Sequence, residues 1–308
     1  MTNEQMLKNL QVPEGIVDVV IDTDAYNEID DQFAISYLLK STERANTVAI
    51  YAAPFHNRRS IGPEDGMEKS YDEILKLLDL IGEKKEVFKG SREYLKNEQS
   101  PVESPAALDL AKRAMKYSPE KPLYVVAIGA ITDVASALLI NPAIAENIVI
   151  VWLGGHGHHY AHTKEFNMRQ DVAAARVVMQ SNAPFVQLPC MGVVTHFITS
   201  KTELELWLKG KNPIADYLAN NTIEAAESYA SGTPWTRCIW DVTAVGWLLN
   251  DGGRFMEWEI MPTRLPEYDG TYGECLADKP MCYVNFVHRD PLMMDMFEKL
   301  TKSDKMNL

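Results

Sequence analysis

Short hydrophobic runs alternate with longer amphipathic segments along most of the chain. Residues 16–21, 123–128 and 147–153 are runs rich in β-branched side chains, typical of strands buried on both faces of a parallel sheet. Residues 71–81 instead repeat apolar side chains at helical spacing. Strands that alternate with helices predict an α/β fold. We therefore expect an open, mainly parallel, Rossmann-like sheet with helices on both faces, in a single domain of residues 1–308.

The same patterns predict the remaining elements. Further strands are expected at residues 48–53, 84–90, 185–188 and 281–288, and further helices at 30–39, 106–115, 134–139, 171–179, 203–208 and 216–228. A turn is expected at residues 268–270. The polar segment 91–104 is interpreted either as a mobile loop over a site or as a surface connection.

A cluster of carboxylates follows the first predicted strand. Asp22, Asp24, Glu28, Asp30 and Asp31 occur within ten positions. Ligands of open α/β sheets bind beyond the carboxyl ends of the strands, so a reactive group is expected here. Like charges this close repel one another unless a cation joins them, and a hard divalent ion such as Ca²⁺ or Mg²⁺ would do so. The alternative is a solvated acidic loop that caps the next helix.

Composition narrows the class of partner. The formal net charge of −13 over 308 residues argues against nucleic acid and anionic membranes, because both require clustered Lys and Arg. A small neutral or cationic substrate fits better. The four cysteines show no metal spacing or disulfide framework and are expected to be reduced thiols. Residues 1–13 lack an apolar signal core and no segment could span a bilayer, so we expect a cytoplasmic protein.

The acidic stretch resembles the amino-terminal signature of the inosine-uridine preferring nucleoside hydrolase family. In that signature, Asp-x-Asp is followed by a short turn and a paired Asp-Asp that opens a helix. Asp22, Asp24, Asp30 and Asp31 fit this pattern. The family usually has Pro-Gly-x between the two acidic groups, whereas this chain has the longer segment 25–29.

Other segments are similar to family motifs in the same order along the chain. Residues 129–133 look like the family's Gly-Pro-Leu-Thr-Asn segment, which implies that Thr132 offers a backbone carbonyl to calcium. Glu165 and Asn167, within Glu-Phe-Asn, resemble the ribose-binding element, and Asn57 falls where the family carries an Asn close to the ribose. Asp241 matches an Asp that binds both calcium and ribose.

The resemblance leaves the leaving-group acid open. Trp240 stands where many members have a His that protonates the departing base, and the purine-preferring members also have Trp there. A histidine of the segment 156–162 could supply the proton instead, from His156, His158, His159 or His162. His159 is taken as a candidate substrate-binding residue. Zinc is disfavoured because no further ligands complete a tetrahedral set.

The resemblance implies a nucleoside hydrolase-like fold and a Ca²⁺-dependent enzyme that hydrolyses the N-glycosidic bond of ribonucleosides, with a preference for purines. Calcium would be held by Asp24, Asp31, Asp241 and the Thr132 carbonyl, and Asp24 would act as base on a water. The ribose would be held by Asp30, Asn57, Glu165 and Asn167. We also expect a homo-oligomer, either a dimer or a tetramer.

Two other classes of function stay open from the residues. A Mg²⁺-dependent phosphohydrolase would need cationic side chains near Asp22 and Asp24 to hold a phosphate. A non-catalytic calcium and riboside-binding protein is suggested by the altered segment 25–29 and by the missing acid at Trp240.

Overall fold

The computed structural model describes residues 1–302. Its helices are α1 (Asn3–Asn9), α2 (Asp30–Leu39), α3 (Pro63–Ile81), α4 (Pro105–Arg113), α5 (Thr132–Ile140), α6 (Phe166–Gln170), α7 (Val172–Gln180), α8 (Lys201–Trp207), α9 (Pro213–Ala230), α10 (Val242–Leu248) and α11 (Arg289–Thr301). Its strands are β1 (Val17–Thr23), β2 (Ala45–Ala52), β3 (Val87–Lys89), β4 (Leu123–Ala127), β5 (Ile148–Leu153), β6 (Phe185–Leu188), β7 (Ile198–Ser200), β8 (Thr236–Cys238), β9 (Met256–Pro266) and β10 (Tyr272–Val287).

Eight strands form one sheet in the order β3-β2-β1-β4-β5-β6-β10-β9. All neighbouring pairs are parallel except β10 and β9, so the expected mainly parallel sheet is confirmed. The chain adds strands to one side of β1 first and then, from β4 onward, to the other side. This reversal makes the β1–β4 boundary a topological switch point, where such folds bind ligands.

Helices cover both faces of the sheet, as predicted. In β1, Val19 and Ile21 belong to a core shared with α2, α3 and α8–α11, whereas Val20 belongs to a second core shared with α4, α5 and α7. All three side chains are fully buried. Burying a side chain of this size contributes about 1.5–3 kcal/mol, which explains why an almost uninterrupted apolar run forms this strand.

Two differences from the sequence-based expectations concern extent. The helix expected at 71–81 begins earlier, at Pro63, because a proline in the first turn and two acidic residues beside it favour a helix start. The strand expected at 281–288 also begins earlier, at Tyr272, and forms a hairpin with β9 through the predicted turn. Strand β9 was not predicted. It is an edge strand whose exposed positions, including Glu257 and Glu259, break up the apolar pattern.

The segment 91–104 is tied down at several points. Ser91 and Ser104 each donate a side-chain hydrogen bond of 2.7 Å to Oδ1 of Asp133, and the Leu95 amide donates to Asp171 over 2.9 Å. These bonds agree with a surface connection. All four cysteines are free thiols. Among residues 1–302, no helix has the length and apolar character needed to cross a membrane.

Candidate active site

A pocket of about 220 Å³ opens at the switch point. Asp24 follows β1 and Ile128 follows β4, and both line it. Its acidic side chains come from several segments: Asp24, Glu28, Asp30, Asp31, Glu165 and Asp241. The two strand ends lie close because residue 129 is glycine: a Cβ there would lie 3.3 Å from Cγ of Asp24 and 3.1 Å from Cβ of Ala53. The topology therefore gathers carboxylates that are far apart in sequence.

Three of these carboxylates form a compact group. Asp30, Asp31 and Asp241 are buried, and each offers an oxygen within 4.8 Å of the other two. Asp30 and Asp31 open α2, and Asp241 precedes α10, so two helix amino termini face the same volume. The positive end of a helix dipole partly stabilises such charge. Thr23 fixes Asp31 by donating a 2.6 Å hydrogen bond from its hydroxyl to Oδ1.

Several buried acid oxygens have no hydrogen-bond partner within residues 1–302. They are both oxygens of Asp24 and of Asp22, Oδ1 of Asp30 and, away from the pocket, Oδ2 of Asp133. Asp22 lies within β1 rather than on the pocket. Buried polar atoms normally have partners, so the unpartnered oxygens that line the pocket fit the role of ligands to a cation.

Ionising all the carboxyl groups of the pocket at the same time is unfavourable. Burial, and then repulsion from Glu28 and Asp31, raises the pKa of Asp30 to about 8. Burial is also the largest cause that raises the pKa of Asp31 to about 7, and it raises the pKa of Asp24 and Asp241 well above the ordinary value. A bound cation would reverse this effect. Because every donor is a hard oxygen, the group fits a divalent ion such as Ca²⁺ or Mg²⁺.

Glu165 and Asn167 form a rigid element on the other side of the pocket. Glu165 caps α6 by accepting hydrogen bonds from the amides of Asn167 (2.8 Å) and Met168 (2.9 Å), and it also accepts from Gly155 (3.0 Å). The side-chain amide of Asn167 donates two hydrogen bonds to backbone carbonyls. One acceptor is Ile128, directly after β4 (3.1 Å), and the other is Leu153, at the end of β5 (3.0 Å). The two side chains are therefore held in place before a ligand arrives.

The structure brings together most of the predicted site residues. Those that line the pocket are Asp24, Asp30, Asp31, Glu165, Asn167, Trp240 and Asp241. Thr132 is not among them, which corrects its predicted position. It is the first residue of α5, and its hydroxyl donates to Asp171 over 2.7 Å. Ile128, directly after β4, is the residue of this segment that lines the pocket.

Asn57 and His159 also lie outside the pocket lining. The Asn57 amide donates to Oδ1 of Asn27 over 2.6 Å, and Asn27 lines the pocket instead. His159 packs against Tyr160 with ring centroids 4.8 Å apart. Of the four histidines in segment 156–162, His156 lines the pocket, and it directly follows Gly155, whose φ is 79°.

Six residues of the pocket lining were not singled out as site residues from the sequence: Asn27, Ile128, Leu153, Phe166, Cys190 and Met191. Asn27 lies in the segment that is longer than the family pattern, and Phe166 lies between two predicted site residues. The sequence could therefore have indicated both as part of the site. Cys190 carried no such signal. It follows β6, and its amide donates to Gly155 over 2.8 Å.

Comparison with known proteins decides the family. The family described as inosine-uridine preferring nucleoside hydrolase matches residues 19–291. The chain belongs to this family. Its members are N-glycosyl hydrolases, and family and fold together support hydrolysis of the N-glycosidic bond of ribonucleosides. The acidic cluster agrees with a metal-dependent family of this kind.

Solved structures of nucleoside hydrolases share the fold. A plant nucleoside hydrolase is 18% identical, with a TM-score of 0.74 over 93% of this chain and 99% of the other. A purine-preferring ribonucleoside hydrolase from Gardnerella vaginalis is 22% identical, with a TM-score of 0.72 over 92% and 98%. An inosine-uridine preferring nucleoside hydrolase from Bacillus anthracis is 18% identical, with a TM-score of 0.67 over 94% and 100%. No curated protein compared by sequence matches significantly.

Proposed function

We propose that this nucleoside hydrolase family member cleaves purine ribonucleosides to ribose and free base, with Ca²⁺ as its metal ion. The observation that carries the proposal is the compact group of Asp30, Asp31 and Asp241, with oxygens within 4.8 Å of one another in the pocket that Trp240 also lines. Small-molecule pockets of this kind combine a few fixed polar groups with apolar or aromatic surface.

The metal would be held by Asp31 and Asp241, with Asp24 and Asp30 beside them. Ca²⁺ takes about six to eight oxygen ligands in flexible geometry, whereas Mg²⁺ demands a near-ideal octahedron. A pocket with several carboxylates and room for sugar hydroxyls suits the larger ion. When bound, the ion would lower the pKa of a water and help to fix the ribose hydroxyls. We propose the backbone carbonyl at Ile128, in place of that of Thr132, as a further ligand.

Asp24 is proposed as the general base. Both of its oxygens are buried and free of hydrogen bonds from residues 1–302, so they are available to a water. A bound cation would keep Asp24 ionised in spite of its burial, and the ionised carboxylate can accept a proton. As the water oxygen bonds to C1′, its proton passes to Asp24, and the electron pair of the breaking C1′–N bond passes to the base. The surrounding carboxylates stabilise the positive charge that develops on the ribose.

The departing base is proposed to stack on Trp240. An indole does not donate a proton usefully at neutral pH, but aromatic stacking contributes about 1–3 kcal/mol per base, and a purine offers the larger face. His156 is the other candidate. Burial lowers the pKa of His156, which favours the neutral ring and so suits a hydrogen bond to the substrate better than acid catalysis.

A Mg²⁺-dependent phosphohydrolase is less well supported. Within residues 1–302, the lining of the pocket includes six carboxylates and neither Lys nor Arg, so a phosphate would be repelled. The test is a panel of ribosides and phosphate esters, incubated with Ca²⁺, with Mg²⁺ or with a chelator. We expect free ribose only with metal, most with Ca²⁺, and faster from inosine than from uridine. Release of inorganic phosphate, or full activity with chelator, would overturn the proposal.

A further inference from the structure

A second pocket, of about 410 Å³, adjoins the catalytic pocket. The two share Asn27 and Glu28, which belong to the segment that is longer than the family pattern. The second pocket is lined by three arginines, Arg58, Arg59 and Arg237, against two carboxylates, Glu28 and Glu224. Acidic and basic cavities thus meet at Asn27 and Glu28.

The three arginines differ in how they are held. Arg59 donates from Nη1 to the Asn27 carbonyl over 3.0 Å, and its guanidinium lies 4.8 Å from the ring centroid of Tyr26. Arg237 forms an ion pair with Glu28, while its buried Nε has no partner. Arg58 is exposed and makes no hydrogen bond or ion pair within residues 1–302. Guanidinium N–H groups are therefore left over for a ligand.

The position of Arg237 relates this pocket to the departing base. Arg237 forms an ion pair with Glu28, and Glu28 lines the catalytic pocket together with Trp240, on which the base is proposed to stack. In glycosidic cleavage the ribose becomes positive and the base takes up the electron pair. The carboxylates of the acidic pocket stabilise the positive charge on the ribose. A neighbouring cluster of arginines would stabilise the electron density that the base gains.

We propose that the arginine-lined pocket binds an anionic group carried by the leaving base, so that, between ribosides that share a ring, the one whose base bears a carboxylate is favoured. The proposal rests on the proposed function. A guanidinium matches the planar geometry of a carboxylate with two parallel hydrogen bonds. Phosphate would satisfy the same donors, and it could come from a 5′-phosphate on the ribose.

The test compares nicotinic acid riboside with nicotinamide riboside. The two compounds share the pyridinium ring and the scissile bond. The first carries a carboxylate where the second carries a carboxamide. Cleavage places the electron pair on a pyridinium nitrogen, which becomes neutral and needs no proton. Because hydrogen bonds to charged groups are stronger, we expect kcat/KM for the acid to exceed that for the amide by about tenfold. The second arm of the test compares kcat/KM for inosine 5′-monophosphate with that for inosine.

Variants attribute the preference to the pocket. Arg58→Gln is expected to reduce the acid-to-amide ratio at least about fivefold, since it removes one charged donor. Arg254→Gln changes an exposed arginine that lines neither pocket, and it should leave the ratio unchanged. Calorimetry of both ribosides with Ca²⁺-loaded Asp24→Asn, which should bind ribosides but turn them over very slowly, gives a second readout that does not depend on turnover.

The outcomes separate this proposal from the proposed function. Equal binding and turnover of acid and amide, or an unchanged ratio in Arg58→Gln, would overturn the anion pocket while ribose release from inosine still stood. A preference for the 5′-phosphate without one for the carboxylate would overturn the assignment to the base. If no riboside releases ribose, the proposed function fails, and calorimetry alone decides the anion pocket.

Discussion

The hydroxyl of Thr23 donates a 2.6 Å hydrogen bond to Oδ1 of Asp31, and both side chains are buried. This bond links the end of β1 to the first turn of α2 across the loop that carries Asp24. It also lowers the pKa of Asp31 and so opposes part of the effect of burial. The acidic loop is therefore held at both ends before any ion binds.

Replacing Thr23 with valine should weaken Ca²⁺ binding by about 10- to 100-fold, because groups that orient a metal ligand matter nearly as much as the ligand. Valine keeps the volume and removes the donor. Thr23→Ser is the matched control and should retain most of the affinity. Calorimetric titration with Ca²⁺ measures both variants, and equal affinities for wild type and Thr23→Val would show that this bond does not position Asp31.

Asp24→Asn should lower kcat by about 10²- to 10⁴-fold, the usual contribution of a general base. The amide keeps the shape of the side chain, so riboside binding and the unfolding midpoint should change little. Asp72→Asn, on an exposed position of α3, is the control and should be fully active. If kcat of Asp24→Asn stays within about threefold of the wild-type value, the change is too small for the loss of a general base, and Asp24 does not act as the base.

Trp240→Ala should lower kcat/KM for inosine by about tenfold or more and affect uridine less, because stacking favours the larger ring. Trp240→Phe should restore part of the loss. His156→Phe tests the competing source of the leaving-group interaction. If uridine is turned over as well as inosine by the wild type, or if Trp240→Ala leaves purine kinetics unchanged, the stacking role is lost and attention moves to His156.

His158 should make the protein sensitive to mild acid. Its ring lies between Tyr272 and Tyr283, each with a centroid 4.6 Å away, and burial lowers the pKa of His158 to about 4. A histidine in the unfolded chain has a pKa of about 6.5. Between these values the unfolded chain binds one more proton, so the free energy of unfolding falls as the pH falls.

The measurement is urea unfolding at pH 6.5 and pH 4.5. His158→Gln should lose less stability between the two values than the wild type does, because glutamine does not titrate. The exposed His162→Gln is the control and should behave as wild type. An equal loss in wild type and His158→Gln would mean that other groups cause the acid sensitivity.

The sequence by itself determined the parallel part of the sheet and the order of the acidic segments. A β-branched run that ends in Asp22 and Asp24, followed by a helix that begins at Asp30, is a local pattern, and local patterns set strands and helix starts. In a parallel sheet all carboxyl ends meet at one edge. Motifs after β1 and after β5 were therefore bound to converge on one site, whereas Asp241 follows β8 of a separate two-stranded sheet and reaches the site only through the tertiary structure.

Only the tertiary structure decided which neighbouring residue enters the pocket. Ile128 rather than Thr132, and His156 rather than His159, line it. Such choices depend on how each loop leaves its strand, and that path is set by contacts with residues distant in sequence. The side-chain amide of Asn167, for example, donates hydrogen bonds to the carbonyls of Ile128, after β4, and Leu153, at the end of β5. The arginine-lined pocket likewise joins Arg58 to Arg237, which no sequence spacing could bring together.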